Sequence, residues 1–372
     1  MHDFIPVNEP LLNGNEKKYL EECIDTGWIS SDGPFVKKFE TEFAKVVHRE
    51  YGIVVCNGSV ALDVAVAALE IGPGDEVIMP TFTIISCASA IVRTGAIPVL
   101  IDAEKDTWNM DIEQIESKIT ARTKAIMVVH IYGLPVDMNP IVKLAKKYNL
   151  FIIEDAAEVI GQTYYNKPCG SFGDISIFSF YPNKHITTGE GGMVLTDNQE
   201  LAEKCKSLRN LCFQPQQRFL HEDLGWNFRL SNLHAAVGVA QLEQLDKSII
   251  RKRDIGNRYI NNLKNLSSIQ LPQLYTLYAE NIFWVFSIVL IDDKYPDATI
   301  IMDLLKTKNI GTRPFFWPMH EQPIFHKMGL FQNESHPIAE NIARKGFYIP
   351  SGLAITNEQI DIVSQTLLGL LD

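Results

Sequence analysis

Seven short apolar runs, separated by segments of helical period, constrain this chain more than any other feature. They are GIVVC (52–56), EVIMP (76–80), IPVLID (97–102), AIMVVHIYG (125–133), LFIIEDAA (150–157), ISIFSF (175–180) and GMVLT (192–196). Several are apolar at consecutive positions, so both faces of such a strand must be covered. Parallel strands lying between helix layers meet that condition. Helical periods fall between the runs, at 59–71, 86–95, 111–119 and 140–149. This β-α alternation predicts an α/β fold with a mainly parallel, mixed sheet between helices.

The pattern changes near residue 240. The stretch AAVGVAQLEQLDKSIIRKRDIGNRYINNLKNL predicts one long helix near 235–265, of the kind that bridges two domains. Beyond it come FWVFSIVL (283–290), a helical period at 297–309, TRPFFWP (312–318), FYIPS (347–351) and a last helix near 357–371. The expected organisation is a large α/β domain over 1–245 and a smaller C-terminal α+β domain over 246–372.

Bulk properties narrow the function classes. The formal net charge is -11 over 372 residues, which argues against a nucleic-acid footprint. It does not exclude an anionic substrate, because local arginines and helix N-termini override a global field. No apolar run approaches the roughly 20 residues of a membrane helix, and MHDFIPVNEP has no basic segment leading into an apolar one. Six cysteines are scattered with no CxxC pair. That usage suits a reduced cytoplasmic protein and not a disulfide or zinc framework, so no metal site is expected.

Three strand ends carry candidate chemistry. In CNGSVAL (56–62), Gly58 permits close backbone approach and Ser59 adds a hydroxyl at a helix N-terminus, the geometry that binds phosphate. Standing alone, the same turn is a plain Ser-capped helix. Asp155 closes an apolar run, where open α/β sheets bind ligands. A buried carboxylate there needs a positive partner, although Asp followed by Ala-Ala-Glu also fits a helix N-cap. Lys184 lies just past ISIFSF, ahead of Gly189, Gly191 and Gly192. A partly desolvated lysine has a lowered pKa and becomes a nucleophilic amine that condenses with aldehydes; the alternative is an ordinary surface charge. A phosphate cradle, a partner for a pyridinium nitrogen and an aldehyde-capturing amine are together what pyridoxal 5'-phosphate requires. There is no GxGxxG after a strand, which argues against a nicotinamide-dependent oxidoreductase.

With these residues in view, EDAAE, FSFYPNKHITTGEGG and GWNFRLSN resemble the DegT/DnrJ/EryC1/StrS sugar aminotransferases, of fold-type I. The likeness runs from PLLNGNEKKYLEECIDTGWISSDGPFVKKFE (10–40) to TRPFFWPMH (312–320). It implies that Lys184 binds the cofactor and moves protons, and that Asp155 pairs with the ring nitrogen. It also implies that Gly58, Ser59 and Ser179 hold the phosphate and that Glu158 lies beside the ring. Asn227 would reach the phosphate of the neighbouring subunit, making a homodimer with shared active sites; Arg229 is a further candidate there, against a structural ion pair. Arg313, Trp317 and His320 would meet the nucleotide sugar. His130 and Tyr132 end another strand and are candidates to border the site. After MPTFT the family usually has a ring-stacking aromatic, where this chain has Ile84.

The pattern is most similar to members that make GDP-perosamine for a surface polysaccharide such as the O-antigen of lipopolysaccharide. The implied reaction moves an amino group from L-glutamate to the 4-keto carbon of GDP-4-keto-6-deoxy-D-mannose. The alternative is a dTDP- or UDP-linked keto-deoxy sugar aminated at carbon 3 or 4. In related dehydratases a histidine replaces the lysine; here Lys184 is kept and His185 follows it, so amination is implied. A non-catalytic relative would have lost Lys184 or Asp155, and this chain has both.

Overall fold

The computed structural model describes residues 3–371 apart from 215 and 293. Strands β1 (Tyr51–Val55), β2 (Glu76–Pro80), β3 (Ile97–Ile101), β4 (Thr123–Val129) and β5 (Phe151–Asp155) precede a small hairpin, β6 (Thr163–Tyr164) and β7 (Lys167–Pro168). Strands β8 (Ile175–Ser179) and β9 (Gly192–Thr196) then complete a seven-stranded sheet ordered β1-β9-β8-β5-β4-β2-β3. The pairs β2–β3, β2–β4, β4–β5 and β5–β8 are parallel. Strand β9 runs antiparallel to both its neighbours, so the sheet is mixed and mainly parallel. Every residue of β2 and of β9 is buried, as expected of strands covered on both faces.

The register places the site. Gly192 opens β9 and pairs with Val55, the last residue of β1, and with Ser179, the last of β8. On the other side of β8, Asp155 closes β5 opposite Ile177. The carboxyl ends of β1, β5 and β8 therefore lie along one edge, the edge where open α/β sheets take ligands.

A second sheet holds β10 (Ile269–Gln270), β11 (Phe286–Leu290), β12 (Arg313–Pro314) and β13 (Gly346–Ile349), in the order β10-β11-β13-β12 and antiparallel throughout. Its core of Phe286, Ile288, Phe347 and Ile349 is shared with the C-terminal helix and with Ile5. The N-terminal strand-like segment thus packs on this unit, with Ile5 N donating to the Asn309 carbonyl at 2.8 Å. Among the described residues no helix is long and apolar enough to cross a membrane.

Two expectations are corrected. The single long helix near 235–265 is two, Asn232–Leu242 and Leu245–Leu263. The first packs on helices Glu16–Thr26 and Pro34–Val46. At the break Glu243 accepts hydrogen bonds of 2.6 Å from both Asn15 and Tyr19, which tie it to the first turn of the helix Glu16–Thr26. The period at 111–119 yields only a 3₁₀ turn, Ile112–Gln114, and one α turn, Ile115–Lys118. TRPFFWP gives a two-residue strand, because neither of its prolines can donate to a ladder.

Candidate active site

A cavity of about 890 Å³ opens at the carboxyl edge of the large sheet. It gathers six residues singled out in the sequence: Gly58, Ser59, Asp155, Glu158, Ser179 and Lys184. Gly58 starts the helix Gly58–Ala68, which Asn57 caps by accepting from the Val60 N–H at 3.0 Å. A Cβ on Gly58 would stand 2.7 Å from the Cβ of Ser179, so only glycine lets the helix start approach that strand end. The Ser59 hydroxyl is 2.7 Å from that of Ser86, which also lines the cavity. The result is a helix N-terminus flanked by three hydroxyls, a cradle suited to phosphate.

The Lys184 loop folds back between β8 and β9. Phe180 N–H donates to the Gly191 carbonyl at 2.8 Å, Thr188 N–H returns to the Phe180 carbonyl at 3.0 Å, and Lys184 N–H donates to Tyr181 at 2.9 Å. Gly189, at φ +80°, supplies the left-handed residue that closes the loop. The side chain of Lys184 is only 9% exposed and its Nζ lies 4.0 Å from Glu158 Oε1. The same Nζ is 3.7 Å from the centroid of the Trp284 indole. Burial pushes the Lys184 amine below the ordinary lysine range, against the opposing pull of Glu158 and Asp155.

Asp155 is nearly inaccessible. Its carboxylate accepts from Ala157 N–H at 3.1 Å and from Cys87 Sγ at 3.4 Å. No α-helix follows it, so it makes an Asx turn and not the helix cap that the sequence allowed. Burial raises its pKa, with Ala157 and Lys184 opposing. Burial likewise pushes Glu158 up to about 8, and its Oε2 accepts from Tyr132 N–H at 2.9 Å. A buried carboxylate with so few donors is complemented by a protonated heteroaromatic nitrogen. The cradle, Asp155 and Lys184 therefore fit a phosphorylated pyridine aldehyde.

Other expected residues lie outside the cavity. His130 is buried, with Nε2 3.0 Å from Glu154 and Nδ1 accepting from Val136 N–H, so it braces the sheet and does not border the site. Tyr132 is buried among Trp284, Phe315 and Phe316 beneath the cavity wall. His320 does not reach the cavity, because Nδ1 is 2.8 Å from the Thr81 hydroxyl and Nε2 is 3.1 Å from Glu340. Metal-ligating atoms of His320, Glu321 and Glu340 lie within 4.8 Å of one another, but Thr81 and Arg344 already engage this group. Trp317 is 45% exposed under the Arg344 guanidinium. Arg313 is exposed on β12, opposite Tyr348, which does line the cavity. Asn227 is exposed at the rim, between the lining residues Trp226 and Phe228. Its Oδ1 accepts from Arg229 Nε at 2.9 Å, a hydrogen bond that links the two residues at the rim.

The site also contains residues that sequence reasoning did not assign. Trp284, Phe316 and Tyr348 line the cavity from the second structural unit, and Tyr181 and Asn183 flank Lys184. Within the run FWVFSIVL, Phe286–Leu290 forms the buried strand β11, and Trp284 just before it lines the cavity. Ile84 does line the cavity, 43% exposed.

Comparison with known proteins agrees with this geometry. Residues 10–368 match the DegT/DnrJ/EryC1/StrS aminotransferase family. The chain is 43% identical over 364 residues to a GDP-perosamine synthase of Escherichia coli O157:H7, covering 98% of each. It is 40% identical over 357 residues to the GDP-perosamine synthase of Vibrio cholerae, covering 96% of each. The fold is similar to that of S. venezuelae DesV, solved in complex with a ketimine intermediate, at TM-score 0.89 and 32% identity over 96% of this chain and 94% of that one. Matched over residues 10–368, with the lysine and buried aspartate at one sheet edge, this protein is a member of the DegT/DnrJ/EryC1/StrS aminotransferase family.

Proposed function

We propose that this enzyme moves an amino group from L-glutamate to the 4-keto carbon of GDP-4-keto-6-deoxy-D-mannose, giving GDP-perosamine. Similarity over 98% of the chain to a GDP-perosamine synthase supports the substrate, and a buried lysine of lowered pKa beside two buried carboxylates supports the chemistry. Pyridoxal 5'-phosphate is the cofactor; when bound it supplies an aldehyde and an electron-withdrawing ring that carries the amino group between donor and acceptor.

The remaining work falls to the chain. Gly58, Ser59 and Ser179 bind the phosphate and so fix the ring. Asp155 would hold a proton on the ring nitrogen, and that ion pair would offset the desolvation that raises its own pKa. Lys184 would move a proton at the reacting carbon, its lowered pKa favouring the neutral amine that accepts one. Glu158, near neutrality in pKa, sits 4.0 Å away and biases the charge on that amine. Trp284 and Phe316 wall the cavity against water.

The working form is a homodimer in which Asn227 and Arg229 serve the neighbouring subunit's phosphate. Exposed Leu224, Trp226 and Tyr181 around the rim support a covered surface there. Arg313 and Trp317 lie on the side from which the nucleotide sugar enters, and His320 supports that wall. In the same reading the chain divides into 1–245 and 246–372 and works in the cytoplasm, in keeping with six unpaired cysteines. Purified enzyme should absorb in the visible and bleach with L-glutamate. Offered GDP-, dTDP- and UDP-linked keto sugars, it should aminate the GDP sugar; turnover of only a dTDP or UDP sugar would sink the assignment.

A further inference from the structure

Lys252 reads in the sequence as one charge in the surface-like run IRKRD, yet it is 1% exposed. Its Nζ donates to the Trp284 carbonyl at 2.8 Å and to the Ser351 carbonyl at 2.7 Å. Among the described residues it forms no ion pair with a carboxylate. A buried ammonium on two neutral carbonyls is a costly arrangement, and burial, with the Lys184 charge second, holds its pKa down at about 7. The titratable groups that interact with its charge are Lys184 and His185, while Glu158 and Asp155 raise the pKa of Lys184.

The carbonyl that Lys252 grips belongs to a segment under constraint. Phe283, one residue earlier, holds a left-handed φ of 49°, unfavourable for a bulky side chain. Asn281 fixes it by accepting from the Phe283 N–H at 2.7 Å. One turn along the same helix, a Cβ on Gly256 would stand 2.2 Å from the Phe283 ring, so helix and segment are in close contact. Trp284 then turns its indole into the cavity, with Nε1 donating to the Asn183 carbonyl at 2.9 Å and the ring face 3.7 Å from the Lys184 amine.

We propose that Lys252 is a positioning residue for the active-site amine: it clamps the Trp284 carbonyl and thereby holds the indole against Lys184. The inference rests on the proposed role of Lys184 in transamination. Two effects pass along this chain of contacts. The indole face and the Asn183 bond limit where the lysine can swing, and the same face favours the charged form of its nitrogen.

The test compares wild type, Lys252→Met, Trp284→Ala and the double variant, each loaded with pyridoxal phosphate. The pH midpoint of the visible band reports the proton on the Lys184 nitrogen, and rapid mixing with L-glutamate reports its chemistry. Lys252→Met should move the midpoint downward by roughly half to one unit, as the indole face is lost from the charged nitrogen, and slow the half-reaction about tenfold. KM for the sugar should stay within about twofold, and the double variant should be no slower than Trp284→Ala alone. Effects that multiply, or an unchanged midpoint with only a lower melting temperature, would overturn the proposal. If Lys252→Met does not fold, Lys252→Gln, which retains a donor for one carbonyl, carries the same comparison. A wild type that takes up no pyridoxal phosphate would overturn the functional reading and this inference with it; a loaded, active wild type with indifferent variants overturns this inference alone.

Discussion

The Lys184 amine and the Glu158 carboxylate stand 4.0 Å apart in a site that burial drives toward neutrality from both sides. Desolvation lowers the first and raises the second to about 8. Because the folded pKa of Glu158 lies above its unfolded value of 4.5, the folded state binds more protons between about pH 4.5 and 8. Stability contributed by this group is therefore present below that window and lost as pH rises through it. Glu158→Gln keeps an acceptor for the Tyr132 N–H but removes the titration. Chemical denaturation of the cofactor-free protein should show the variant gaining on wild type as pH rises from about 5 to 8, by about 3–4 kcal/mol. A difference independent of pH would show that Glu158 is not titrating there.

Lys184→Ala should abolish the visible absorption of the loaded enzyme and reduce amination at least about a thousandfold. The lysine contributes little packing to the large core, since the loop is held by backbone hydrogen bonds of Phe180, Thr188 and Lys184 itself. Its circular dichroism and melting temperature should therefore stay near wild type. Sugar turnover by a colourless variant would defeat the assigned role.

Asp155→Asn preserves the shape of the side chain and an acceptor for Ala157 N–H but cannot carry the charge that holds a ring proton. Amination should fall about a hundredfold, and the variant should bind the cofactor more weakly in an absorbance titration. The cofactor-free protein should not be destabilised, because a buried charge has been removed.

How much of this site the sequence reveals depends on which element each residue belongs to. Lys184, Asp155 and Gly58 lie at the ends of apolar runs whose strand character is plain, so their convergence follows from a parallel sheet. Trp284, Phe316 and Tyr348 come from the second unit, whose docking no local pattern encodes. Lys252 was hidden for another reason: a lysine between two arginines has the signature of a solvated face, and only tertiary contact turns it inward. The break at Glu243 escaped notice because residues 232–263 keep helical periodicity across it, and the bonds it accepts from Asn15 and Tyr19 are long-range. His320 carried a motif signal, yet its ring is occupied by partners 239 residues back and 20 residues ahead.

Gly58→Ala tests the cradle. The added Cβ would stand 2.7 Å from the Ser179 Cβ and 3.1 Å from its Oγ, too close without moving the helix start from the strand. The variant should lose about 1–3 kcal/mol in urea denaturation and bind pyridoxal phosphate at least about tenfold more weakly. Gly58→Ala combined with Ser179→Gly relieves the clash, so stability should return while cofactor affinity stays low. Recovery of both would mean that the Ser179 hydroxyl makes no contribution to phosphate binding.

His320 separates a supporting role from a contacting one. Its Nδ1 meets Thr81, the residue that follows β2, and its Nε2 meets Glu340 on the helix Pro337–Lys345. The imidazole therefore joins the large sheet to the second unit beside the cavity wall. Burial lowers its pKa, with Glu340 opposing, so the ring is neutral at physiological pH. His320→Ala would leave the Thr81 hydroxyl without this buried partner, at a cost of about 1–3 kcal/mol. Thermal melting should fall accordingly, while KM for the nucleotide sugar changes by less than about threefold. A tenfold rise in KM with unchanged melting would instead mean that the ring leaves Thr81 and Glu340 to meet the substrate.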